Sequence, residues 1–122
     1  MKAFEQIEEV ADRHLHILWT NADPDTSEHM VMMYATNGLL RGWWDQITVI
    51  IWGATQKYVI NDEAIRARMD IAKKAGVTFS ACIGCAVNLG TKDALEEMGI
   101  EVTPWGERIA LLQQEGKHLL SI

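Results

Sequence analysis

Apolar residues in this chain fall into two alternating kinds of segment: short β-branched runs, and longer stretches with helical spacing. The runs are Leu15-His16-Ile17-Leu18-Trp19-Thr20, Gln46-Ile47-Thr48-Val49-Ile50-Ile51-Trp52, Gly76-Val77-Thr78-Phe79, Ile100-Glu101-Val102-Thr103 and His118-Leu119-Leu120-Ser121-Ile122. Each is bounded by turn-forming residues and reads as a strand. The longer stretches read as helices. Phe4, Ile7, Val10 and Ala11, with Glu5, Glu8, Glu9 and Asp12 between them, predict an amphipathic arm over 1–14. A helix from about Thr26 to Gly42, with Asp25 and Glu28 as a capping pair, carries Met30 to Ala35, Leu39 and Leu40. It is apolar nearly all round, which is more than one sheet face can cover and predicts subunit contact or a pocket lined by its methionines.

After Gly53-Ala54-Thr55 and Tyr58-Val59-Ile60, Asn61 or Asp62 can cap a helix to about Ala75. That helix has Ile65, Met69 and Ala72 on one face, charges on the other, and Gly76 at its end. Further helices are expected from Gly90-Thr91 to Gly99 and from Glu107 to about Glu115. Strands alternating with helices in this order predict an α/β domain, its parallel sheet covered on both faces. Sites in such sheets form at the carboxyl ends of the strands. In this chain that edge would collect Asn21, Asp23, Trp52, Gly53, Cys82, Pro104 and Trp105.

Composition narrows the class. At 122 residues, 48% hydrophobic and 23% charged, the chain fits one domain over 15–122, preceded by the arm, with a core that needs no staples. A formal net charge of -6 argues against a nucleic-acid surface. No apolar run approaches the roughly 20 residues that span a bilayer, and the acidic start lacks a signal-peptide core. A cytoplasmic protein without a membrane span is expected.

The candidate chemistry sits after the third strand, in Ser80-Ala81-Cys82-Ile83-Gly84-Cys85-Ala86-Val87-Asn88-Leu89-Gly90. It holds both cysteines of the chain, spaced Cys-x-x-Cys where a strand hands over to a helix. Backbone N–H groups without helical partners there favour a thiolate, the nucleophilic form. Cys82, ending the strand, is expected to be the more accessible and reactive thiol, with Cys85 a turn further on. Two cysteines and four scattered histidines leave a tetrahedral metal site incomplete unless two subunits pool their thiols. The turn after the first strand, Thr20-Asn21-Ala22-Asp23-Pro24-Asp25-Thr26, lacks glycine and adds two carboxylates, which argues against a dinucleotide or flavin phosphate. No cofactor and no metal are expected. Three readings remain open: sulfur chemistry, thioredoxin-like dithiol exchange, and a pair of buried structural thiols. Trp19 and Trp52 read as strand core, and Trp43, Trp44 and Trp105 as turn residues of the kind that mark interfaces.

From Leu15 to Ile122 the chain resembles the DsrE/DsrF-like (DsrEFH-like) sulfur relay family. The resemblance rests on the first strand and the apolar helix after it, the strand end Ile50-Ile51-Trp52-Gly53-Ala54, and Cys82-Ile83-Gly84-Cys85-Ala86 with Gly90 beyond. It includes Gly99-Ile100-Glu101-Val102 and the closing strand as well. It implies a three-layer α/β/α fold with a mainly parallel five-stranded sheet, Rossmann-like but without a nucleotide loop. It also implies homotrimers or homohexamers, and a sulfurtransferase-like cytoplasmic role. Sulfur would be held as a persulfide on Cys82 and passed between donor and acceptor proteins, with Cys85 in a lesser part. Asn88-Leu89-Gly90 departs from the basic residue that several relatives carry before the glycine. The competing expectations are a thiol-disulfide redox protein using Cys82 and Cys85, and a non-catalytic oligomeric binding module.

Overall fold

A computed structural model describes residues 12–122. The expected arm lies outside the described residues as far as residue 11, and residues 12 and 13 lead directly into the first strand, which takes in His14. The strands are β1 (His14–Trp19), β2 (Gln46–Ile51), β3 (Thr78–Cys82), β4 (Glu101–Thr103) and β5 (His118–Ser121). All pair in parallel, in the order β4-β3-β2-β1-β5. Helix α1 (24–40) follows β1; α2 (Ala54–Asn61) and α3 (Glu63–Ala75) follow β2; α4 (Ile83–Leu89) and α5 (Lys92–Glu97) follow β3; α6 (Trp105–Gln114) joins β4 to β5. The fold is α/β with helices on both sheet faces, a three-layer α/β/α arrangement.

The layers are unequal, and the strand order says why. From β1 to β4 the chain always steps the same way across the sheet, so right-handed crossovers put α1 to α5 on one face. The return from β4 to β5 runs backwards across the sheet and puts α6, alone among the described helices, on the other. Residues of alternate parity confirm it. Leu15, Ile17, Trp19, Ile47, Val49, Ile51, Phe79 and Ala81 point into the main core beneath α1 to α5. Ile50 and Cys82 point the other way, into a smaller cluster with Trp105 at the start of α6.

Three local features differ from the expectation. Helix α1 is capped by Asp23, not by Asp25 with Glu28: the Asp23 carboxylate accepts the Thr26 N–H at 2.9 Å. Pro24 at the first helical position has no N–H and a fixed φ, so the cap falls on the residue before it. The middle of α1, Ser27–Met32, is π-helical, the Met33 N–H reaching back to the Glu28 carbonyl. This shift in pitch buries Val31, Met32 and Ala35 while Met33 and Leu40 stay exposed. Gly38 then lets α1 lie close on the sheet, since a Cβ there would stand 2.9 Å from Ile47 Cδ1. Finally, 54–61 forms a helix of its own. Its buried face carries Thr55 and Gln56 beside Val59, which breaks the apolar periodicity that would have announced it. Among the described residues no helix is long and apolar enough to cross a membrane.

On the face of α6, His16 is 8% exposed, and its Nδ1 has no hydrogen-bond partner among the described residues. Its ring stacks on His14 at 4.1 Å and meets Trp105 edge-on at 5.8 Å. Burial, then the neighbouring His14 and Arg108, push its pKa down from 6.5 to about 4, against a weaker pull from Asp12. The unfolded chain therefore binds this proton at a higher pH than the folded one. The neutral imidazole adds stability above pH 6.5, and the contribution is lost as pH falls towards 4. The full amount is about 3 kcal/mol at most. Thermal melts between pH 7 and 4 should show the midpoint falling through this window, and His16→Phe should flatten the fall. An unchanged slope in that variant would show that another group governs acid stability.

Candidate functional site

The carboxyl edge of the sheet is built by the ends of β2 and β3 and the helices that start there. Strand β2 ends at Ile51, and the chain turns through Trp52 and Gly53 into α2. Gly53 has φ 68° and ψ -128°, a backbone conformation that side chains disfavour, while a Cβ there would meet nothing within 4 Å. Conformation, not space, calls for glycine at this turn. Thr55 fastens it: its hydroxyl donates to the Trp19 carbonyl at 2.8 Å and accepts the Trp52 N–H at 3.1 Å. Strand β3 ends at Cys82, still extended (φ -74°, ψ 124°), which serves as the N-cap residue of α4.

Cys82 and Cys85 are both free thiols, and they meet. Cys82 is 5% exposed and packs with Ile50 and Trp105, while Trp52, Leu18, Ile109 and Leu112 close the cluster. Trp105 is the roof. It is fixed on one side by its indole N–H donating to Ser80 Oγ at 2.7 Å, and covered on the other by the Arg108 guanidinium, 3.8 Å from the ring centroid. Cys85, in the first turn of α4, is half-buried beside the exposed Gly84. The expected order of exposure is thus reversed: the thiol ending the strand is the covered one. The residue responsible, Trp105, comes from the other side of the sheet. Burial pushes the Cys85 thiol up from its ordinary value. The Gly53 N–H pulls against this, and the Cys82 thiol adds to it.

Gln56 and Thr91 join the site from positions that carry no motif. The Gln56 amide, fully buried, donates to the Ile51 carbonyl at 3.1 Å and the Cys82 carbonyl at 3.0 Å, and accepts the Thr91 hydroxyl at 2.6 Å. Their only signal in sequence is a polar residue where an apolar one would serve a core. Of the residues expected at this edge, Trp52, Gly53, Cys82 and Trp105 gather around the thiols. Asn21 and Asp23 do not: the Asn21 side chain accepts the Asp23 N–H, and Asp23 caps α1. Among the described residues no group of three or more His, Cys, Asp or Glu side chains could hold a metal ion.

No family model and no curated protein matches the chain. Among solved structures it is similar to a conserved protein of unknown function, BT1422, from Bacteroides thetaiotaomicron. The two are 36% identical over 90% of this chain and 95% of that one, with a TM-score of 0.85. The chain belongs to the family of that Bacteroides protein. Its α/β/α fold is therefore the fold of the BT1422 family.

The geometry of the thiol site predicts an order of labelling. In the folded protein iodoacetamide should modify Cys85 before Cys82, because Cys82 is buried and Cys85 only partly so. The midpoint of the Cys85 rate against pH should lie above 9.0, the ordinary value of a thiol, since burial displaces its ionisation upwards. Timed labelling with peptide mapping measures both; earlier labelling of Cys82 would contradict the packing around Trp105.

Proposed function

We propose that this protein is a sulfur-relay protein of the DsrE/DsrF-like kind, which holds sulfur as a persulfide on Cys82 and passes it to a partner protein. What supports the reading is the pair of touching free thiols at the carboxyl edge of a parallel sheet, one sheltered under Trp105 and one facing out. A sheltered sulfur suits a carrier, because a persulfide must survive small thiols between donor and acceptor. An outward thiol beside it keeps a path open to the protein surface.

The steps balance without an external oxidant. The Cys82 thiolate attacks the outer sulfur of a donor persulfide; the new S–S bond forms as the donor's breaks, and the donor leaves as its thiolate. An acceptor thiolate then attacks the outer sulfur on Cys82 and takes it, which restores the Cys82 thiolate. Cys85 provides a second exit. Its attack on the inner Cys82 sulfur closes a Cys82–Cys85 disulfide and releases hydrosulfide, after which a thiol reductant is needed to reopen the pair.

A second reading, thiol-disulfide exchange, draws on the exposure order. Cys85 would attack a substrate disulfide, and Cys82, already in contact, would resolve the mixed disulfide. The two readings part at single substitutions. After incubation with a persulfide donor, intact mass spectrometry should find one added sulfur on the wild type and on Cys85→Ser, and none on Cys82→Ser. Loading that persists in Cys82→Ser would show that Cys82 is not the carrier. Absence of loading anywhere, with insulin reduction abolished by Cys85→Ser, would favour the exchange reading.

A further inference from the structure

We infer that Gln56 is the positioning residue of the thiol site: its buried amide clasps the Cys82 carbonyl and so fixes how the start of α4, with both thiols, sits against the turn at Gly53. The inference rests on Cys82 and Cys85 being the reactive groups, as proposed above, but not on sulfur being what they carry.

Gln56 stands in the first turn of α2, where its own N–H donates to the Gly53 carbonyl at 3.0 Å. Its side chain therefore begins from the glycine turn and ends on the strand that delivers Cys82. The amide has two donors and one acceptor oxygen to place. The Ile51 and Cys82 carbonyls can only accept, so they take the N–H groups, and the Thr91 hydroxyl at Oε1 completes the set. The orientation of the amide follows from its partners. Three segments meet on this one side chain: the end of β2, the β3–α4 junction, and Thr91, whose N–H is held by the Ala86 carbonyl of α4. Helices α2 and α4 pack together at this place. Without the clasp the Cys82–Ile83 peptide loses its side-chain anchor, and a tilt there shifts the first turn of α4, with Cys85, relative to Cys82.

A plain core role is the competing explanation, since a buried amide with three partners also stabilises the fold. Substitutions at both ends of the clasp separate the two. Thr91→Val deletes the hydroxyl but keeps the shape and the backbone bond; Thr91→Ser keeps the hydroxyl. Gln56→Met removes every contact of the amide at similar length. Ile65→Val, in the core of α3 away from the site, serves as a control for general destabilisation. For each, the Cys82–Cys85 disulfide is equilibrated with reduced and oxidised glutathione, and the pH profile of thiol alkylation is recorded beside the melting temperature. Thr91→Val and Gln56→Met should shift the disulfide equilibrium by about fivefold, the size of one hydrogen bond, and displace the alkylation profile. Thr91→Ser and Ile65→Val should stay at the wild-type position. If Thr91→Val leaves equilibrium and profile unchanged, or Ile65→Val moves them as far, Gln56 does not position the thiols. Should Gln56→Met fail to fold, the two threonine variants still decide. A shift in these proteins without persulfide loading in any of them would uphold Gln56 and overturn sulfur relay alone.

Discussion

All strands of the sheet run the same way, and the rest of the molecule depends on that constraint. Parallel strands cannot be joined by hairpins, so each connection must climb back over a face, and each new helix begins at the same edge. Backbone groups left open by strand ends and helix starts therefore collect along one line. The glycine turn at Gly53, the Cys82 cap of α4 and the Pro104–Trp105 start of α6 all lie there. Two cysteines three positions apart would be unremarked in many places. At this edge they meet beside the Gly53 turn, one of them beneath an indole.

The step order of the strands adds a second consequence. Among the described residues, five helices crowd one face and one covers the other. That single helix does two things at once: its first residue roofs Cys82, and its next turn brings Arg108 over the same ring and near His16. Among the described residues, this layer holds a buried imidazole nitrogen without a partner and the more sheltered of the two thiols. Burial lowers the affinity of His16 for a proton and raises that of the Cys85 thiol.

Much of this was legible in the residues, for physical reasons that also explain the rest. The strands announce themselves because a sheet buried on both faces needs continuous apolar β-branched runs, as in Ile47-Thr48-Val49-Ile50-Ile51. Strand β3 lies further along than its apolar run because Ser80-Ala81-Cys82 is small-residued and carries no strand signature. Helix α2 is hidden in the sequence because the residues it buries, Thr55 and Gln56, are polar and bond to distant carbonyls. The pitch of α1 hid its faces, since a π-helical turn breaks the 3.6 period that separates inside from outside. The Cys-x-x-Cys spacing could be read, but not which thiol is covered. Cover comes from Trp105, a residue read as a turn and found almost wholly buried. Likewise nothing local marks Gln56 or Thr91, whose role exists only where three segments converge.

The central claim is that Cys82 and Cys85 form one chemical site, with Cys82 as the sulfur-bearing thiol. A crystal structure of the protein after treatment with a persulfide donor tests this most directly. One extra sulfur bonded to Cys82 Sγ, beside Cys85 and beneath Trp105, is the predicted result. An unmodified Cys82 still closed in its cluster, with the added sulfur elsewhere or nowhere, would contradict the account.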